Sequence, residues 1–120
     1  MPENLCAALV AYIENEGGLQ GKVFSAPLPE RPLHAVGIFP AELHNYRGGS
    51  PCVFRLVVRG DLNSGQAQDT AGALTKLLDE RRDTELPGGI WLDRMSLRQG
   101  FGFDGVSGRS IYYTAELEVW

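Results

Sequence analysis

A chain of 120 residues, 43% hydrophobic and 22% charged, has the size and composition of one domain with its own core. Its formal charge of −4 gives no reason to expect binding to nucleic acid or anionic membrane, both of which need a basic surface. No apolar run approaches the roughly 20 residues that span a bilayer, and Met1-Pro2-Glu3-Asn4 lacks the basic start and apolar core of a signal peptide, so the expectation is folding in a cytosol.

Leu5 to Glu16 reads as a first helix. Asn4 is placed to cap it, Leu5, Ala8, Leu9, Tyr12 and Ile13 recur at three and four residues, and Gly17-Gly18 ends it. Lys22 to Ser25 is a short strand. The three prolines between Pro27 and Pro32 forbid regular pairing in the stretch that follows. Leu33 to Phe39 is extended, with apolar residues on both faces. Pro40 to Ser50 is a polar connection carrying Tyr46 and Arg47.

Cys52 to Arg59 is the clearest strand: Cys52, Phe54, Leu56 and Val58 face one way, and Val53, Arg55, Val57 and Arg59 the other. Gln66 to Arg82 reads as a second helix. Asn63 and Gln66 have capping-box spacing, and Ala67, Thr70, Ala71, Leu74, Leu77 and Leu78 form its stripe. Gly72 inside that helix suggests close packing against it. Asp83 to Gly89 is a turn, Ile90 to Leu97 a strand, Gln99 to Gly108 a glycine-rich loop with Phe101 and Phe103, and Ile111 to Trp120 a two-faced final strand. The last two strands are expected to pair antiparallel. The fold class that follows is α+β: a single domain with a mixed, mostly antiparallel sheet and two α-helices packed on one face.

The chemistry is sparse. Gly100-Phe-Gly102-Phe-Asp-Gly105 spells G-x-G-x-x-G, but a dinucleotide site needs a strand before it and a helix after it, and a strand follows here. No cofactor is expected. His34 and His44 have no companions at metal-ligand spacing, so no metal is expected and both read as surface or strand-end residues. Cys6 and Cys52 lie in apolar runs and read as buried thiols rather than a bridge. No nucleophile elbow, phosphate loop or zinc helix occurs. Glu116 and Glu118 share one strand face, which could position two catalytic acids, yet any half-solvated strand shows the same pair. Nothing favours an enzyme.

The sheet face away from the helices is therefore the candidate surface: Arg55, Arg59, Tyr112, Glu116, Glu118 and Trp120 lie on it, too mixed for a second core and too aromatic to be idle. Phe101 and Phe103 of the glycine-rich loop are either tucked onto the core or offered to a partner, and Tyr46 and Arg47 of the polar connection raise the same question.

The helix Leu5-Cys-Ala-Ala-Leu-Val-Ala-Tyr12 ending in glycine is followed by Val23-Phe24, Leu28-Pro-Glu-Arg-Pro32 and the strand Val53-Phe-Arg-Leu-Val-Val-Arg-Gly60. Then come the Ala67, Ala71, Leu74, Leu78 helix, Pro87-Gly-Gly-Ile90 and the strand Tyr113-Thr-Ala-Glu-Leu-Glu-Val119. In that order and texture residues 1–120 resemble the tail-terminator (tail-completion) and minor capsid proteins of tailed phages. The resemblance implies a small mixed sheet with helices on it and a homo-oligomeric ring, usually a hexamer, that caps the tail tube protein. It also implies docking to the head-completion or connector protein, and a place in the neck of a virion assembled in host cytoplasm. It carries no catalytic residues. Six chains at −4 each would give a ring of about −24, through which DNA would pass without specific binding. Another neck or head-closure component, a small-ligand-binding α/β module and a hydrolase remain as alternatives.

Overall fold

The computed structural model describes residues 2–25, 27–42 and 51–120. Helix α1 spans Pro2–Gly17, strand β1 Val23–Phe24, β2 Ala35–Glu42 and β3 Cys52–Asp61; helix α2 spans Gln66–Leu78, and β4 Arg81–Leu86, β5 Ile90–Ser107 and β6 Ser110–Val119 complete the chain. The six strands form one sheet in the order β1-β2-β3-β6-β5-β4, parallel between β1 and β2 and antiparallel elsewhere. Both helices pack on one face of it, as the sequence predicts. α1 touches β1 and β2 near one edge and β4 at the other, so the sheet curls around it.

The core follows from the helical and strand periods. Leu5, Leu9 and Ile13 of α1 and Leu74 and Leu78 of α2 are buried against Phe54, Leu56 and Val58 of β3 and Leu117 and Val119 of β6. The both-sides-apolar character of β2 has a simple cause. Val36 and Ile38 share the side of Val58 and Leu56, under the helices. Ala35 and Gly37 face away, and over Gly37 lie the Phe39 ring and the proline-rich segment: an added Cβ would stand 2.6 Å from Phe39 Cε2 and 3.3 Å from Leu28 Cδ2. A strand covered on both faces loses its polar alternation.

Several expectations are corrected. α1 begins at Pro2, so Asn4 lies inside the first turn rather than before it. The Asn63–Gln66 capping box does not form. Asp61 Oδ1 accepts the Asn63 amide (2.8 Å), Ser64 Oγ accepts the Gln66 amide (3.2 Å), and Gly65 in left-handed geometry enters the helix. α2 stops at Leu78, not Arg82, because Glu80 at φ 53 turns the chain back. Arg81 then donates to the carbonyls of Leu77 (3.0 Å) and Lys76 (3.1 Å), satisfying the helix end. Residues read as helix end and turn are instead β4, hairpinned to β5 through Pro87-Gly88-Gly89. Its exposed charges, Arg81, Arg82, Asp83 and Glu85, disguise a strand and suit a sheet edge that must not pair with strangers.

The Gln99–Gly108 loop is also strand. β5 runs on through it, opposite β6, as far as Ser107. Between the pairs Leu97–Leu117 and Ser107–Ser110, β5 spends ten steps where β6 spends seven, so it carries three extra residues, at the three register shifts. Bulges of this kind are places where glycine is at home.

Two glycines show opposite packing. A Cβ on Gly60 would lie 2.7 Å from the Ala67 amide nitrogen, so the bare backbone of β3 is what lets α2 start so close to it. Gly72, expected to be tightly packed, has no described atom outside its own stretch of helix within 4 Å of where its Cβ would be. With nothing to hit, Gly72→Ala should raise stability by up to about 1 kcal/mol, the helix-propensity difference. A later urea midpoint at unchanged slope would register it.

Candidate interaction surface

The candidate residues fall on two sides of the sheet rather than one. Facing away from the helices, Arg55 of β3 lies opposite Glu116 of β6, and Glu118 lies opposite Val53. Arg98 organises this side: its Nε donates to Glu116 Oε1 (3.0 Å) and its Nη1 to Glu42 Oε2 (3.2 Å), with Glu118 Oε1 4.0 Å away. One guanidinium thus serves three carboxylates contributed by β2 and β6. Arg55 makes a looser pair with Asp104 of β5 at 3.8 Å. Trp120 continues β6 by exchanging backbone hydrogen bonds with Arg94, whose guanidinium carbon sits 4.6 Å from the indole centroid. Tyr112 is half-buried at the other end of this face, opposite Arg59.

Arg59 has the orientation the alternation predicts but not the exposure. It is 7% exposed, and its donors go to the carbonyls of Leu33 (2.9 Å), Pro32 (2.9 Å) and Pro29. The proline-rich segment folds over it. Arg59 is thus a clamp inside the chain and not a contact residue.

Phe101 and Phe103 point to the helix side. Phe103 pairs with Tyr113, the rings edge to face at 6.2 Å between centroids, and Tyr113 in turn lies opposite the buried Val58. Phe101 is half-buried against the core, so one ring tucks in. Phe103 is 64% exposed. Val106, opposite Ile111, is 50% exposed on the same side. These side chains extend the core's apolar surface beyond the cover that α2 provides.

The backbone beside them is open. β4 accompanies β5 only as far as Met95. At the next step Asp79 Oδ1 accepts the Leu97 amide (2.9 Å) and the Ser96 hydroxyl (3.1 Å). From Gln99 to Ser107, β5 has β6 on one side and, among the described residues, no strand on the other. An unpaired edge beside exposed aromatic and aliphatic side chains is what strand addition by a partner requires.

Sequence reasoning missed Arg98, Glu42 and Val106. Arg98 sat at the border of a supposed loop, and the three extra residues of β5 scramble the parity that would place Val106 beside Phe103. Tyr46, Arg47 and His44 lie outside the described residues. Both cysteines are thiols; burial pushes the Cys6 thiol above its ordinary pKa, away from nucleophilic chemistry. No group of His, Cys, Asp and Glu suited to a metal occurs among the described residues, and no helix is long and apolar enough to cross a membrane. A depression of about 410 Å³ between α1 and the β4–β5 turn, lined by Tyr12, Glu16, Glu85 and Pro87 among others, stays open to solvent.

No family model matches the sequence, and no curated protein does. Solved structures do. A chain from the virion of a native gene transfer agent particle is similar over 97% of this chain and 94% of its own, at TM-score 0.64 and 16% identity. A second solved chain is similar over 100% of this chain and 96% of its own at TM-score 0.56 and 13% identity. At such identities the likeness is one of fold.

Proposed function

We propose that this chain is a structural virion protein that assembles into a ring, closes the phage tail tube and docks it to the head connector. The observation that carries the reading is the end-to-end correspondence with a chain of a gene transfer agent virion, since neither chain has a substantial part the other lacks. The open edge of β5 supports it, because a sheet edge with exposed Phe103 and Val106 is suited to a sister copy. In this reading the outer face, with Arg55, Arg98, Glu116, Glu118 and Trp120, meets the tube or connector, as do Tyr46 and Arg47. No catalytic step is assigned to any residue.

Light scattering and electron microscopy of the purified chain test the proposal. A ring of about six copies of the 13.1 kDa chain is expected, one that also binds isolated tail tubes. With a net charge near −24 it should bind duplex DNA weakly even at low salt. A monomer indifferent to tubes would defeat the proposal. A ring that binds connectors and ignores tubes would make the chain a neck component instead.

A further inference from the structure

His34 stands where three parts of the fold meet. It directly precedes β2, whose Val36 amide bonds to the Lys22 carbonyl (2.8 Å) at the start of β1. Its Nε2 lies 2.7 Å from Thr70 Oγ1 on α2. Its Nδ1 is enclosed and, among the described residues, has no hydrogen-bond partner. The ring therefore ties the β1–β2 edge to α2 through one nitrogen and leaves the other in a dry place.

The surroundings suit the neutral ring only. With the proton on Nε2, the ring donates to Thr70 and leaves Nδ1 as a bare lone pair, the cheaper of the two enclosed states. A second proton would put an N–H on Nδ1 where no described residue accepts it. The charged groups nearby give no help. Lys22, from the α1–β1 connection, repels a cation on the ring. On α2 the ring meets the neutral Thr70, and the neighbouring Asp69 is exposed and pairs with neither nitrogen. Arg59, a further cation, holds the adjoining Leu33 carbonyl from the other face of the sheet.

We propose that His34 is an acid-operated fastener: the neutral imidazole holds the β1–β2 edge against α2, and protonation releases it. Burial first, and Lys22 second, hold the ring's pKa below its ordinary value of 6.5. The sign follows from linkage. Above 6.5 the ring is neutral whether the edge is docked or open, and His34 adds no pH dependence. As pH falls below 6.5 the open form takes up the proton first, so docking weakens until the docked ring titrates too.

Hydrogen exchange tests this, comparing the wild-type chain with His34→Gln at about pH 7.5 and about pH 5.5, rates being corrected for intrinsic pH dependence. In the wild type, protection across residues 19–38 should fall by up to about tenfold at the lower pH, since that pH lies one unit below the ordinary histidine value. Residues 110–119 should not change. In His34→Gln, whose amide can still donate to Thr70 but cannot titrate, the fall should vanish. An unchanged wild type, or a variant that keeps the same fall, overturns the proposal. Should the variant not fold, NMR titration of the wild-type His34 ring decides. A midpoint below 6.5, followed by the amides of Val36 and Thr70, supports the fastener; a midpoint at or above 6.5 overturns it.

Discussion

Arg59→Met should destabilise the chain by about 3 kcal/mol, the cost of removing a charged donor from buried acceptors. Methionine keeps most of the unbranched stem, so the loss isolates the guanidinium. The three carbonyls it serves belong to Pro29, Pro32 and Leu33. A segment this rich in proline has few N–H groups to enter a ladder, so its carbonyls need donors from elsewhere. A planar fork with several donors is the side chain that can reach more than one of them at once. Arg59→Lys should recover part of the loss, since an ammonium can serve one or two of these carbonyls but not the fork. A urea midpoint shifted by 1 M or more is expected for the methionine variant, given slopes of about 1–3 kcal/mol per molar for small domains. A loss under about 1 kcal/mol would show that the segment stays in place without the clamp. Arg55→Ala is the contrast. Its side chain is 56% exposed and its pair with Asp104 is 3.8 Å long, so its effect should stay within about 0.5 kcal/mol.

The pair Arg55 and Arg59 shows what the sequence could and could not say. Alternation put both on the outer face, correctly. Their environments differ because residues 27–34 fold back over one and not the other, and that return depends on contacts with residues some thirty positions away. The helix stripes were legible because Leu5, Leu9, Ile13, Leu74 and Leu78 repeat with the period of the element that buries them. β3 and β6 were legible for the same reason at period two. β4 was not, since an edge strand guarded by Arg82, Asp83 and Glu85 carries the composition of a turn. Nor was the outer half of β5. Gly100, Gly102 and Gly105 have the look of loop punctuation, and three extra residues break the alternation just where it would have revealed a strand. Whether Phe101 and Phe103 tuck onto the core or meet a partner stays open in the sequence; the fold sets them on the opposite side of the sheet from Glu116 and Trp120.

Phe103→Ser together with Val106→Ser should dissolve the proposed ring while leaving the fold intact. Both side chains are mostly or half exposed in the single chain, so shortening them removes little that the monomer buries. In a ring built through the β5 edge the same atoms are covered, and aromatic or aliphatic anchors at such centres are worth about 2 kcal/mol each when truncated. Two of them correspond to about a thousandfold weaker association, enough to turn an assembly into monomers at micromolar concentration. The backbone of Gln99–Ser107 cannot compensate, because strand addition supplies hydrogen bonds that water offers almost as well, and the apolar contact supplies the surplus. Light scattering should report the mass of one chain, and thermal unfolding should still be cooperative. Trp91→Ser is the control: Trp91 is 57% exposed but sits on the β4–β5 hairpin, at the opposite end of β5 from the open edge, and its loss should leave the proposed ring in place. If instead the double variant assembles and Trp91→Ser does not, the copies meet through the hairpin, and the open edge of β5 belongs to a different partner.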